Sequence, residues 1–208
     1  MRVILQIVLA IAAVLLAVLL VLSIYEPIEF EQERTKRYKK VIENLKQIRQ
    51  AQVAYKEVNN RYTGSFDTLI EFVKFDSLAL VRAEGTIPEE YIDSLKSRSK
   101  AEKLALKQGL ISRDTVKISV KDSLFGREFD VETLPYVPYA KDEKFTMAVG
   151  EVTASGLPVK VFEAKVLSEI ILNGLNKRLI ATYNDGRDYP GLKVGSLEEA
   201  NNNAGNWE

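Results

Sequence analysis

The chain has 208 residues, and its 29 Lys and Arg are balanced by 29 Asp and Glu. That balance leaves no net field to recruit nucleic acid. It has no Cys and no His, which excludes disulfides and thiolate sites and removes the commonest general base and a common metal ligand.

Residues 3–25 carry no charge. As a helix they would extend about 35 Å, enough to cross a hydrocarbon core about 30 Å thick. The sequence therefore predicts a single transmembrane anchor with its ends at Val3 and Tyr25. A cleaved signal peptide is the competing reading: Arg2 supplies a basic start, and Val21 and Ser23 form a weak cleavage site before Ile24. The apolar run is too long for that and lacks a small-x-small end, so the anchor is preferred. Gln6 is the strongly polar side chain deep in the span, and it is a candidate for a hydrogen bond to a partner helix. The span holds no Asp or Glu, so this chain alone offers no proton path.

Two signals conflict over orientation. Arg34, Lys36, Arg37, Lys39 and Lys40 follow the span, and a literal Lys/Arg count places the domain inside. These bases stand behind Glu26, Glu29, Glu31 and Glu33, and a span starting at residue 3 resembles an uncleaved export signal. The expectation is an amino end in the cytoplasm and a domain in the periplasm, anchored in a bacterial inner membrane. The basic run reads as a solvated helix face, with anionic headgroups as the alternative.

Four parts follow from the pattern: an anchor (1–25), a juxtamembrane helix (26–62), a globular α+β domain (63–197) and a polar tail (198–208). Pro27 marks a kink or a restart of the helix, and the acids that follow suit a helix N-terminus. Tyr38, Val41, Leu45, Ile48, Gln52 and Tyr55 recur at spacings 3, 4, 3, 4, 3, one stripe of a helix ending near Asn60. Val41 lies roughly 25 Å beyond the span, whereas a compact domain of this size has a radius of only about 15 Å. The outer part of the stripe, around Ile48 and Tyr55, is therefore expected to pack on the protein's own sheet. The inner part, Tyr38, Val41 and Leu45, is expected to face a partner, together with Gln6 in the membrane.

Ser65 is placed to cap a short helix with Phe66, Leu69, Ile70 and Val73 on its buried side. The stretch 75–83 is ambiguous. Thr86 and Glu89 have capping-box spacing, and a helix is expected over 88–108, broken near 97–99 and ended by Gly109. Val116, Ile118 and Val120 alternate with polar residues, a half-buried strand. Residues 134–139 contain two prolines and read as extended. A hairpin is expected from strands at 145–153 and 159–166 around Ala154, Ser155 and Gly156. A helical stretch lies in 167–183, a turn at Asn184, Asp185 and Gly186, and a short strand at 192–194. The tail reads as loose, with Trp207 as a docking point. No linker separates the helical half from the strand half, so the fold class is α+β: the long helix on a small antiparallel sheet, with additional short helices.

The run Ile48, Arg49, Gln50, Ala51, Gln52, Val53, Ala54, Tyr55, leading into Asn59, Asn60, Arg61, Tyr62, Thr63 and Gly64, resembles type IV pilins and pseudopilins. In that family an apolar N-terminal helix continues into an amphipathic one that packs on an antiparallel sheet. The resemblance spans roughly residues 41–69 and implies a pilin-like architecture and an envelope setting. Residue 5 is Leu5 and the span has no Glu, so no site residue carries over.

The chemistry expected is none: no catalytic, cofactor-binding or metal-binding residue is assigned. Nucleophile–base spacing and phosphate-binding glycine loops are absent from the sequence. Asn184, Asp185 and Asp188 supply oxygen atoms without the spacing of a calcium loop, so a plain turn is preferred. The expected role is a non-enzymatic accessory subunit of an envelope complex: a secretion or pilus-like machine, or a proton-driven transport motor. Its expected partners are other inner-membrane or periplasmic subunits and the bilayer, with no nucleic acid and with self-association allowed. A free-standing periplasmic binding module is the second reading.

Overall fold

The computed structural model describes residues 2–208; side chains at 21, 22, 80–83 and 113–115 lie outside that description. One helix dominates it. α1 (Arg2–Asn59) runs unbroken for 58 residues with Pro27 inside it, a length of about 87 Å. No helix restarts at Pro27, so the acids at 26–33 lie mid-helix. They pair along the helix instead: Glu31 with Arg34, and Glu33 with Lys36 at 3.3 Å and Arg37 at 3.4 Å.

Beyond α1 come α2 (Phe66–Phe75), β1 (Ser77–Gly85), α3 (Glu89–Leu95), α4 (Arg98–Lys107), β2 (Ile111–Ser119) and α5 (Val120–Leu124). After a 3-10 turn at Val131–Thr133, the chain forms β3 (Thr146–Ala154), β4 (Leu157–Leu167), α6 (Ser168–Ile171), α7 (Lys177–Asn184) and β5 (Gly191–Gly195). The strands make two antiparallel sheets, a β1–β2 ribbon and a β3–β4–β5 sheet. The protein is thus a mixed helix-and-sheet fold with a long apolar N-terminal helix.

Local rules account for most boundaries. The Ser65 side chain accepts from the Thr68 amide and starts α2. Ser155 (φ 51°) and Gly156 (φ 79°) join Ala154 to its partner Leu157, a two-residue turn whose positive φ values match the twist of a hairpin. The expected 88–108 helix does break, at left-handed Lys96 (φ 46°) and Ser97, into α3 and α4. Its expected capping box does not form: Pro88 occupies the cap position, without a side-chain hydrogen bond. The ambiguous stretch becomes β1. Val120 leaves the strand to start α5, where it is fully buried. Residues 134–139 are not extended; they turn repeatedly, with Tyr139 at φ 65° and a single bridge between Tyr136 and Lys144.

The core lies between α1 and the three-stranded sheet. Phe162, Ala164 and Val166 of β4 alternate into it and meet the α1 stripe. β4 runs antiparallel to α1: Lys160 reaches the Asn60 carbonyl at one end (2.9 Å), and Ser168, just past β4, meets Tyr38 at the other (2.7 Å). This arrangement corrects the expected partner interface. Tyr38 is 8% exposed and Val41 and Leu45 are 0% exposed, all inside the protein's own core, which starts at Phe30. The radius argument failed because the domain is elongated along the helix. Lys160 of β4 stands at Asn60, Ser168 at Tyr38 and Asn176, at the start of α7, at Glu26, so strand and short helices together line about 34 residues of α1, about 51 Å.

The tail is docked rather than loose. The Gly195 amide donates to the Ala204 carbonyl (3.0 Å), Asn206 bonds Gly191 and Lys193, and Trp207 packs on the core.

Candidate functional site

Three regions hold the side chains that sequence or structure singles out. The first is the base of the domain, next to the uncharged stretch of α1. The Asn176 amide donates to Glu26 Oε1 (2.5 Å), one residue beyond Tyr25, so the start of α7 sits level with the end of the uncharged stretch 3–25. Arg37 donates to the carbonyls of Ile171 (3.2 Å) and Asn173 (3.0 Å) and ties α6 to α1. The Tyr183 ring lies between two guanidinium groups, Arg34 at 4.3 Å and Arg187 at 4.0 Å. Burial, acting against the hydrogen bond to Ser168, pushes the Tyr38 phenol up to about 12. These contacts tie α6 and α7 to the part of α1 that continues from its uncharged stretch.

The second region is a cleft of about 1010 Å³ between the distal half of α1, α5 and the tail. Apolar Val53, Leu78 and Leu124 line it beside the amides of Gln50, Asn60 and Asn202 and the charged Lys56 and Glu57. One wall is closed by the tail, where Arg49 pairs with Glu208 (2.7 Å) and donates to the Asn203 carbonyl (3.2 Å). That hydrogen bond and charge hold the Glu208 carboxyl below the usual carboxylate range. Asn203 donates in turn to the Tyr62 hydroxyl (3.1 Å).

The third region is the turn at 184–188. Its oxygen atoms do not converge with others: among the described residues, no group of three or more His, Cys, Asp or Glu is placed to hold a metal ion. Elsewhere, the buried Glu163 of β4 pairs with Lys165 at 2.6 Å and Lys193 at 4.0 Å. Burial and the Glu163 charge push the neighbouring Tyr189 up to about 12.

Of the residues singled out from sequence, Val3, Gln6 and Tyr25 lie on α1 with exposed side chains. Tyr38, Val41 and Leu45 do not join them in a surface. The cleft was not legible in the sequence, because its walls come from residues about 150 positions apart; the Asn-rich run 201–203 was the only local sign of it. No protein-family model, curated protein or solved structure matches the chain.

Proposed function

We propose that this protein is a single-pass, non-enzymatic accessory subunit of a bacterial inner-membrane envelope complex, with a cytoplasmic amino end and a periplasmic domain. One observation carries the reading: the helix that forms the spine of the folded core is the same uninterrupted helix whose first part is apolar, uncharged and long enough to span a bilayer. A rigid connection of this kind suits a part that must hold its domain at a set height and angle beside other membrane subunits. The pilin-like resemblance of residues 41–69 supports the setting. The inner face of the stripe is consumed by the core, so partner contacts fall to the span, where Gln6 is exposed, and to the outer surface of the domain.

Mass spectrometry after mild-detergent purification of the full chain tests this. Co-purifying inner-membrane subunits that disappear when residues 3–25 are replaced by an unrelated span support it. A chain that purifies alone from both membranes overturns it. A reporter active only after export, fused after Glu208, should be active; an inactive one overturns the orientation.

The cleft, with its mixed apolar, amide and charged lining, favours a second reading, a free-standing periplasmic binding module. That reading predicts a chain that purifies alone and gains thermal stability from a ligand seated against Val53 and Leu124.

A further inference from the structure

The β1–β2 ribbon carries α3 and α4 at its tip as an arm set apart from the main core. No residue of α3 or α4 belongs to that core; Ala101, Ala105 and Ile111 are buried together with neither α1 nor the three-stranded sheet. The tip carries its charge in two blocks. Residues 84–95 hold four acids and no base, and residues 96–107 hold five bases and one acid. Glu89, Glu90 and Asp93 of α3 are exposed, as are Lys100, Lys103 and Lys107 of α4. α3 is held to the end of α4 by a contact between neutral groups, the Tyr91 hydroxyl donating to Gln108 Oε1 (2.6 Å).

We propose that the arm tip is a self-association surface, in which acidic α3 of one copy docks on basic α4 of a second copy and reciprocally. The charge pattern selects this occupant. The two blocks are equal and opposite, so the tip is complementary to itself turned through a two-fold axis, the isologous arrangement of most dimers. Pairing α3 with α3, or α4 with α4, sets like charges against each other, which fixes the register. The inference rests on the anchored reading in one respect: copies held in one bilayer by identical rigid helices present their tips at the same height, with the two-fold axis along the membrane normal. A single exposed ion pair contributes little and is screened beyond about 8 Å at physiological salt. Several acting together, between copies confined to one membrane, gain from a raised effective concentration.

The test uses the full chain, which has no native Cys, labelled at Ala200→Cys with donor or acceptor dye and reconstituted in phosphatidylcholine vesicles. Energy transfer above the level of random mixing at low salt, falling several-fold in about 500 mM salt, is expected. Reversal of the basic block (Lys100→Glu, Lys103→Glu, Lys107→Glu) should abolish transfer, as should reversal of the acidic block (Glu89→Lys, Glu90→Lys, Asp93→Lys). Mixing the two variants should restore it. Transfer insensitive to salt, or no recovery on mixing, overturns the proposal. Native emission from Trp207 confirms that both variants are folded. Flotation of the vesicles reads anchoring separately: chains that do not float refute the anchor, and tip pairing is then read from the same labelled copies at high concentration in detergent, where absence of salt-sensitive transfer overturns it.

Discussion

Gln52 hydrogen-bonds both main-chain groups of Thr63: its Nε2 donates to the carbonyl at 2.6 Å, and its Oε1 accepts from the amide at 3.2 Å. Gln52 is 0% exposed and sits in the middle of an otherwise apolar stripe. It acts as a short piece of strand, satisfying the backbone where the chain turns from α1 towards α2. Gln52→Leu keeps the volume but leaves two buried backbone groups without partners. The expected loss is about 2–4 kcal/mol in urea unfolding; a change below about 0.5 kcal/mol would show that water replaces the side chain.

Leu45→Lys places a charge in the core between α1 and the sheet, where Leu45 is 0% exposed. The folded domain should lose about 3–5 kcal/mol, as for an unpaired buried charge. Ile48→Lys, one turn further along the same buried stripe, should cost a similar amount. If Leu45→Lys melts like the parent while Ile48→Lys does not, the membrane-proximal half of the stripe is not core.

Alkali should destabilise the domain between about pH 10 and 12. Burial raises the Tyr38 and Tyr189 phenols from 10.0 to about 12. The folded state thus favours the neutral phenol, and its contribution is complete below pH 10. It is lost as pH rises through the folded value, because the unfolded chain ionises first. Tyr38→Phe should flatten this part of the stability profile, at the cost of the Ser168 hydrogen bond at neutral pH. An unchanged alkaline slope in that variant would assign the effect elsewhere.

Removal of residues 201–208 should lower stability by about 2–4 kcal/mol. The segment supplies the Trp207 packing, the Asn206 bonds to the β5 strand and the Glu208–Arg49 pair. Trp207 is the sole Trp, so its emission in the intact chain should be blue-shifted and should move to red in the same transition that unfolds the core. An early, separate red shift would mean that the tail undocks by itself.

Elements that depend on neighbours in sequence were readable. The uncharged span, the phase of the α1 stripe, the Ser65 cap, the break between α3 and α4 and the β3–β4 hairpin all follow from local spacing or from turn chemistry. Readings failed where a local signal met a stronger distant one. The prolines in 134–139 suggested extension, but packing of Leu134 and Val137 into the core folds that stretch into turns. The Asn-rich tail reads as loose by composition, yet its amides complete the edge of β5, which nothing in the order of residues reveals.

The sequence by itself determined that an apolar helix leads the chain and that one face of its continuation must be buried, because helical period is a property of a single segment. It did not determine against what. Tyr38, Val41 and Leu45 have the pattern of a partner surface or of a core with equal fidelity, since both need the same apolar stripe. Tertiary structure decided between them by laying β4 antiparallel along α1, with its far end held by Ser168 on Tyr38. A strand rises about 3.3 Å per residue against about 1.5 Å in a helix, so the short β4 lines α1 from Asn60 back to Tyr38, and the α6–α7 segment covers what lies nearer Glu26.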